Sequence, residues 1–552
     1  MLPAASSDPG GAPPAPSTPY RLCLGADGRF FCHPDAADPT LPSPLPAAHS
    51  EDPTWTEIAR HATPGDDLSL LRFLYDGLIF PKNDSLMLRC RMSGCELSAT
   101  QVSGLATLAR EYGGGYADIT TRGNLQIRDI APRHGLHALR EMLRLGIVPP
   151  VPGVNNLRNV TSSPATGFDP SEVLDVLPIA REISRALIYH PALHGLPGKF
   201  NIAVDSGGLI GVSADTNDLG FYAVNDARGP SFRLRIAGGN GLHETAADAG
   251  LRIAPDQVVA VAAALVRTFL EHADLSQRLR ARMKFFAAEV GLAQILAWTQ
   301  EKLAFTLEKS PAPPPFDKAH DRAHYGCHRQ LGVAKNYLGL VVPAGRLSAV
   351  QWENVAHIAH EFGEGVVRLT VRQNCLIPGI KDSDLDEVLT LLRQAGITIR
   401  PSSLAGGMVA CTGSRGCSYS ATDTKSHSRE VAAYLDERLV LDQAINIHFT
   451  GCSFSCAQPY IGDIGLLGLR LKKKGENTAA YHLSVGGGPD GAGAGRRLFS
   501  RVPYAELAPL LAGIISTYLE RRDAEESFAS FTKARDIETL RALFTPKGGC
   551  RA

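Results

Sequence analysis

Residues 97–127, LSATQVSGLATLAREYGGGYADITTRGNLQI, recur without a gap as residues 347–377, LSAVQWENVAHIAHEFGEGVVRLTVRQNCLI. In this register Arg122 matches Arg372. A solenoid needs several short repeats, whereas this is one long period used twice. The repeat therefore indicates a chain built from two duplicated halves.

Each copy combines a helical and an extended pattern. Residues 101–112 carry apolar side chains at helical spacing, and residues 117–127 alternate with β-branched residues as a strand does. Residues 86–92 are a further strand candidate. A second repeated pair, FRLRIAGG at 232–239 and YHLSVGGG at 481–488, extends the duplication. The sequence predicts an α+β fold with pseudo-two-fold symmetry, in which the two copies can share a sheet.

Proline- and glycine-rich linkers divide the chain. PPVPG follows the first copy, SPAPPP precedes the second, and PSSLAGG closes it. The predicted layout is a partly disordered N-terminal arm, one repeat domain made of two halves, and two α/β domains. Their boundaries are 1–65 for the arm, 66–150 with 316–403 for the repeat domain, and 151–315 and 404–546 for the α/β domains.

Composition excludes several classes of protein. Hydrophobic residues make up 44% and charged residues 20%, and 56 basic residues balance 56 acidic ones. A net charge of zero argues against binding to nucleic acid or to anionic membranes through the whole surface. No apolar run approaches the roughly 18 residues of a spanning helix, and the start lacks a secretory leader. We expect a cytoplasmic, monomeric protein whose 11 cysteines are reduced.

Four of those cysteines are spaced as two close pairs. The pattern is Cys-x5-Cys, then Gly-Cys-x3-Cys after an apolar strand at 445–450. Two such loops can surround one iron–sulfur cubane or one tetrahedral zinc ion. Zinc knuckles favour gaps of two or four residues, and a gap of five suits a larger object. Four unrelated free thiols remain an alternative. The candidate ligands are Cys411, Cys417, Cys452 and Cys456.

This arrangement, followed by Ala457 and Gln458, resembles the nitrite/sulfite reductase haemoproteins. The resemblance covers about residues 66–545. It implies that the four thiolates hold a 4Fe–4S cluster and that Cys456 also bridges to a sirohaem iron. It further implies a ferredoxin-like repeat domain, a sirohaem- and anion-binding domain at 151–315, and a domain at 404–546 that binds the cluster and sirohaem.

The resemblance also assigns the polar motifs, which alone would be ordinary surface charge or the polar face of a strand. Basic residues of three separate motifs correspond to the family's anion site, where charged donors stabilise a small anion and supply protons. They are Arg89, Arg158 and Lys199, with Asn201 as the fourth position. The segment corresponding to the sirohaem-carboxylate grip supplies Thr120, Thr121, Arg122, Asn124 and Gln126.

Two positions depart from the family pattern. Gly198 stands where an Arg is usual and removes an expected donor to a sirohaem carboxylate. Cys95 stands where Gly is common, without a functional interpretation. Because Arg122 is duplicated as Arg372, the two cannot both grip one asymmetric cofactor in the same way.

The motifs favour nitrite over sulfite. The sulfite type reads Lys-Phe-Lys where this chain has Lys199-Phe200-Asn201, and no cysteine lies just upstream of Arg158. The predicted function is assimilatory six-electron reduction of nitrite to ammonium. Sulfite reduction to sulfide, a precorrin-3B synthase-like monooxygenase, and a non-catalytic metal protein remain alternatives.

No flavin or nicotinamide module is recognisable, so we expect an external electron donor. By resemblance this donor is reduced ferredoxin. One hypothesis is that Lys472–Lys474 help it dock.

Overall fold

The computed structural model describes residues 21–24, 27, 29–33, 85–147, 157–196, 198–239, 245–277, 280–310, 324–400, 404–473, 476–488 and 493–545. It begins with an antiparallel hairpin, β1 (Arg21–Leu24) and β2 (Phe30–His33). Leu22 and Phe30 of this hairpin are fully buried in the core of the following α/β domain. Part of the predicted arm is therefore an ordered, packed element. The rest of that arm, apart from residues 27 and 29, lies outside the described residues.

The first copy of the repeat alternates strands and helices. Its elements are β3 (Leu86–Arg89), β4 (Glu96–Ser98), α1 (Ala99–Glu111), β5 (Tyr116–Ile119), β6 (Leu125–Ile130) and α2 (Gly135–Arg144). The predicted helix is confirmed, with its apolar face buried. The prediction of a single strand over 117–127 is wrong. That segment is a hairpin, in which Gly123 adopts φ +58 in the turn between β5 and β6.

The α/β domain that follows has a six-stranded sheet ordered β12-β11-β10-β9-β8-β7, with β7, β8 and β9 parallel and the rest antiparallel. Its strands and helices are β7 (Leu157–Ser162), α3 (Leu177–Tyr189), β8 (Phe200–Asp205), β9 (Leu219–Asp226), β10 (Gly229–Ile236), β11 (Ala247–Ile253), α4 (Val258–His272), α5 (Met283–Val290), α6 (Leu292–Glu301) and β12 (Glu308–Lys309).

After one additional strand, β13 (Gly326–Arg329), the second copy repeats the order of the first. It comprises β14 (Lys335–Leu340), β15 (Arg346–Ser348), α7 (Ala349–Glu361), β16 (Val366–Leu369), β17 (Cys375–Lys381) and α8 (Leu385–Gln394). Both copies start their first helix with the same capping box. Ser98 with Gln101, and Ser348 with Gln351, exchange side-chain and backbone hydrogen bonds of 2.9–3.2 Å.

The last α/β domain has a five-stranded sheet ordered β18-β19-β20-β21-β22. Its elements are β18 (Met408–Ala410), α9 (Thr424–Asp436), β19 (Ile447–Thr450), β20 (Ile464–Lys473), β21 (Glu476–Val485), β22 (Arg496–Pro503), α10 (Tyr504–Arg521), α11 (Phe528–Lys533) and α12 (Ile537–Phe544). The strands β18, β19 and β20 are parallel, and β20, β21 and β22 antiparallel. This is the topology of β7 to β11, so the duplication extends to the α/β domains.

The two repeat copies exchange their short strands. One sheet is ordered β15-β5-β6-β3 and the other β13-β14-β17-β16-β4. Thus β4 of the first copy completes the sheet of the second, and β15 of the second completes that of the first. One continuous hydrophobic core includes residues of both copies.

No helix in the described part of the chain is long and apolar enough to cross a bilayer. The domain boundaries given above remain predictions.

Candidate cofactor and anion site

Two neighbouring parallel strands bring the cysteine loops together. β18 lies beside β19, with Ala410 opposite Phe449, and Cys411 and Cys452 follow the ends of these strands. The carboxyl ends of adjacent parallel strands meet at one edge of a sheet, where ligands commonly bind. The Gly451 N–H donates to Cys411 Sγ at 3.3 Å, which stabilises negative charge on that sulfur.

The four candidate ligands act on one another electrostatically. Burial raises the pKa of Cys452 to about 11, with further contributions from Cys456, Cys411 and Cys417. Burial also raises the pKa of Cys456, which Cys411 and Cys417 raise further. Four free thiols on two loops that start at adjoining strand ends are the donor set of an iron–sulfur cubane, in which each thiolate binds one iron.

Cys456 is solvent-accessible although other segments enclose it. Thr121 Oγ1 donates to the Cys456 carbonyl at 2.8 Å. The positive charges of Lys199 and Arg122 act on its thiol and lower its pKa against the effect of burial. The thiol is thus accessible, and cations from two other domains act on it.

The turn of the first copy binds the segment after Cys456 through a shared threonine. The Arg122 guanidinium donates to Thr216 Oγ1 and to the Thr216 carbonyl, both at 3.0 Å. Gln458 Nε2 donates to the same Thr216 Oγ1 at 2.7 Å. Three chain segments distant in sequence therefore meet beside Cys456.

The second copy uses the matching residues differently. Arg372 is buried and donates to Asn446 Oδ1, and the Asn374 side chain bonds Val342 N and the Gly406 carbonyl. Asn124, the counterpart of Asn374, is also buried, but its Oδ1 has no hydrogen-bond partner among the described residues. An orphaned buried oxygen is costly unless another group satisfies it. This asymmetry fits a cofactor bound beside the first copy.

The proposed anion residues lie at strand ends. Arg89 ends β3, opposite Gln126 of β6. Burial, and then the charge of Arg128, lower the Arg89 pKa to about 10, whereas Cys456 acts in the opposite direction. Lys199 directly precedes β8 and is exposed. Arg158 lies in β7, next to β8, and its side chain is outside the described residues.

Asn201 has a clear structural partner. Its backbone N–H and side-chain amide donate to Asp218 Oδ2 at 2.9 and 3.1 Å. Asn446 and Asp463 repeat this pair at the same place in the other α/β domain, at 2.8 and 2.6 Å. The pair is thus part of the duplicated scaffold. The Arg282 guanidinium also reaches Asp218, at 3.1 Å.

Sequence reasoning missed several positioning residues. Arg128 NH2 donates to Gln126 Oε1 at 2.6 Å and to Thr412 Oγ1 at 2.9 Å, and NH1 to the Gly416 carbonyl at 3.3 Å, so it holds the loop between Cys411 and Cys417. Since Arg128 follows Gln126 by two residues on β6, strand alternation could have revealed it.

His448 was missed as well. Its Nδ1 lies 2.6 Å from the Ala457 carbonyl and 3.1 Å from the Gln458 carbonyl. Carbonyls only accept, so Nδ1 carries the hydrogen and fixes the turn after Cys456. No motif marked His448, Thr216, Gln458 or Arg282, because their partners are set by the fold.

Comparison with known proteins gives concordant results. The family profile described as nitrite and sulphite reductase 4Fe-4S domain matches residues 153–307, and the one described as nitrite/sulfite reductase ferredoxin-like half domain matches 80–144 and 328–395. Residues 153–307 contain no cysteine. The cysteine loops belong instead to the second α/β domain, which repeats the topology of the first.

Several relatives align over most of the chain. A ferredoxin–nitrite reductase of Synechococcus elongatus is 30% identical over 73% of this chain and 80% of its own length. A chloroplastic ferredoxin–nitrite reductase of Zea mays is 31% identical over 78% of each. A ferredoxin sulfite reductase of Mycolicibacterium paratuberculosis is 30% identical over 82% of this chain and 83% of its own.

A solved structure agrees with the fold. The NirA protein of Mycobacterium tuberculosis superposes with a TM-score of 0.77 at 26% identity, covering 90% of this chain and 98% of that one. Matched profiles, relatives that align over most of their length and this shared fold, together with the fit of the donor set, lead to one conclusion. The chain belongs to the nitrite and sulfite reductase family of oxidoreductases, and it binds a 4Fe–4S cluster and sirohaem.

Proposed function

We propose that the chain reduces nitrite to ammonium with electrons from reduced ferredoxin. The observation that carries the proposal is the accessible Cys456 thiol, with Lys199 and Arg122 acting on it from two other domains. Names of relatives that specify ferredoxin and nitrite support the same reaction. We assign the four cysteines 411, 417, 452 and 456 to the cluster.

The balance of the reaction defines what the protein must do. Nitrite takes up six electrons and eight protons to give ammonium and two waters. The bound sirohaem and cluster supply the electron-transfer chemistry. The chain must hold a small anion, keep bulk water from competing and deliver protons to its oxygens.

The proposed residues divide these tasks. Arg89, Arg158 and Lys199 bind the anion as charged hydrogen-bond donors. Burial and the Arg128 charge bring the Arg89 pKa to about 10, so the guanidinium stays charged at neutral pH. Asn201 orients the anion from the fourth position, and Thr120, Thr121, Arg122, Asn124 and Gln126 hold the sirohaem carboxylates.

Sulfite is the second candidate substrate. A sulfite reductase relative is as similar as the nitrite reductases, at 30% identity. Sulfite carries up to two charges, whereas nitrite carries one, so a site for sulfite should favour a further cation. The neutral Asn201 at the fourth position favours nitrite.

Anaerobic assays of the purified holoenzyme test the proposal. With reduced viologen as donor, we expect ammonium from nitrite at a higher kcat/KM than sulfide from sulfite. Cys456→Ser should abolish this activity and the coupled-cofactor spectrum, whereas Cys327→Ser, a matched change of an exposed thiol outside the cysteine loops, should leave both intact. Iron-free, colourless wild-type protein, or no product from either anion, would overturn the proposal.

A further inference from the structure

Two large aromatic side chains are exposed on the cysteine loops. Tyr419 is 69% exposed and lies two residues after Cys417, and Phe454 is 46% exposed and lies between Cys452 and Cys456. Their rings meet edge to face, with centroids 5.1 Å apart at 81°. Single exposed apolar residues need no explanation, but an aromatic pair formed from two functional loops does.

The local backbone is fixed by turns, and the rings take no part in the adjoining hydrophobic core. Ala421 N–H donates to the Gly451 carbonyl at 2.7 Å and joins the two loops. Ser455 adopts φ +52, and its N–H donates to the Cys452 carbonyl at 3.1 Å. These bonds form without the rings, so folding does not explain the exposed aromatic surface.

Three basic side chains lie on the loop that carries Tyr419 or on the strand that contacts this loop. The Arg415 side chain is 78% exposed and pairs with Asp423 at 2.9 Å. Arg470 is exposed and its Nε donates to the Ala421 carbonyl at 3.2 Å, two residues from Tyr419. Lys472 is exposed on the same strand two residues later, and therefore on the same face of β20. A chain with no net charge thus carries a local basic rim.

We propose that the Tyr419–Phe454 pair, with its basic rim of Arg415, Arg470 and Lys472, is the docking surface for an acidic iron–sulfur carrier protein of the ferredoxin class. This inference rests on the proposed function, because it names where the electron donor binds. Aromatic rings contribute strongly at the centres of interfaces, and a charged rim selects and steers a partner of opposite charge. A partner bound here lies directly over the loops that carry the four cysteines.

Binding measurements on the cofactor-loaded enzyme test the proposal. We expect Tyr419→Ser with Phe454→Ser to weaken the Kd for oxidised ferredoxin by about tenfold or more, measured by calorimetry at low ionic strength. Tyr419→Phe keeps the ring and should retain the Kd. Val440→Ser, at a residue 87% exposed, is the matched control and should also retain it. Arg470→Glu with Lys472→Glu should weaken binding and flatten its salt dependence.

Turnover assays with two electron donors, ferredoxin and reduced viologen, separate the possible outcomes. The serine variants should raise the KM for ferredoxin while viologen-driven turnover and iron content stay at the wild-type level. If Phe454→Ser lowers the iron content, the Kd and KM for ferredoxin of the single variant Tyr419→Ser are the test instead. An unchanged Kd in the variants, or an equal loss in Val440→Ser, would overturn the docking surface even when viologen turnover is normal. Absence of viologen turnover in the wild type would instead overturn the proposed function.

Discussion

Arg346 of β15 stands directly opposite Asp118 of β5, with Nε–Oδ1 and NH2–Oδ2 distances of 2.6 and 2.8 Å. The other exchanged strand, β4, forms an equivalent pair in which the exchanged strand carries the acidic residue. Glu96 of β4 faces Arg368 of β16, with an Oε2–Nε distance of 2.6 Å. If each short strand paired with its own copy, Glu96 would face Asp118 and Arg346 would face Arg368. Like charges would oppose each other in both sheets, so these pairs favour the exchange.

These buried pairs should be energetically coupled. We expect Glu96→Ala to destabilise the protein by about 3 kcal/mol, because it leaves the buried Arg368 guanidinium without this carboxylate. Arg368→Ala should cost less, because Glu96 keeps its ion pair with Arg181. The double variant should lose clearly less free energy of unfolding than the two single variants lose together. Denaturant unfolding of the four proteins measures the coupling. The exposed Arg144–Glu141 pair, at 2.8 Å, is the control and should show almost none. Additive losses at positions 96 and 368 would contradict the proposed role.

Arg128 should be required for cluster retention. Arg128→Lys keeps the charge but cannot contact the Gly416 carbonyl, Thr412 Oγ1 and Gln126 Oε1 at the same time. We expect about tenfold weaker cluster retention under chelator challenge, as for other residues that orient metal ligands. Iron content against chelator concentration is the measurement, and exposed Arg144→Lys is the control. Wild-type retention in Arg128→Lys would refute the assignment.

Cys95 has a steric explanation that can be tested. A Cβ on Gly123 would lie 2.2 Å from Cys95 Sγ, whereas in the second copy Gly345 leaves room for Gln373. Gly123→Gln should therefore destabilise by about 1–3 kcal/mol through overpacking. Adding Cys95→Gly reproduces the arrangement of the second copy and should recover most of the loss. Denaturant midpoints give the result, and a double variant no more stable than Gly123→Gln would contradict the explanation.

Asn201→Lys should shift substrate preference toward sulfite by adding a cation at the fourth anion position. The same change at Asn446 disturbs the equivalent pair with Asp463 and serves as a matched control for damage to the scaffold. The ratio of kcat/KM for nitrite and sulfite is the readout. An unchanged ratio in Asn201→Lys, or an equal shift in Asn446→Lys, would show that position 201 does not discriminate between the anions.

Glu172 should make stability fall as pH rises. Burial raises the pKa of this carboxyl to about 7 from a usual value near 4.5, and Asp175 and Asp169 raise it further against hydrogen bonds from Thr166 and the Gly167 N–H. The folded state therefore binds the proton more tightly, and its contribution, complete below about pH 4.5, is lost as the pH rises to 7.

A neutral side chain at position 172 should remove this dependence. We expect Glu172→Gln to raise the free energy of unfolding at pH 8 by about 1 kcal/mol relative to the wild type, which a higher Tm reports, and to change it little at pH 4.5. Glu141→Gln, on an exposed helix face, controls for a general charge effect. An equal difference at both pH values would contradict the assignment.

The sequence predicted the parts of the fold that depend on local patterns. The apolar face of α1, containing Val102, Leu105 and Leu108, follows from helical spacing, and the duplication follows from aligned residues. Strand exchange could not be predicted, because alternation specifies the face of a strand and not its neighbour. The turn at Gly123 was missed because β-branched residues lie on both sides of it.

The same division applies to the candidate site. Spacing along the sequence was enough to identify the four candidate cysteine ligands as two pairs, because the members of each pair lie within one loop. The contacts of Thr216 with Arg122 and Gln458 join segments with no sequence relation, and only the folded chain brings them together. The roles of the predicted anion and sirohaem residues stay predictions that the variants above test.

Reciprocal strand exchange also has a consequence for synthesis on the ribosome. The sheet of the first copy lacks its edge strand until residues 346–348 have been translated, and the second copy needs residues 96–98 that were made long before. The nascent chain therefore carries an incomplete sheet while the intervening α/β domain emerges and folds. Neither copy can be expressed alone as a finished unit, and a truncation before residue 346 should expose the edge of β5 to aggregation.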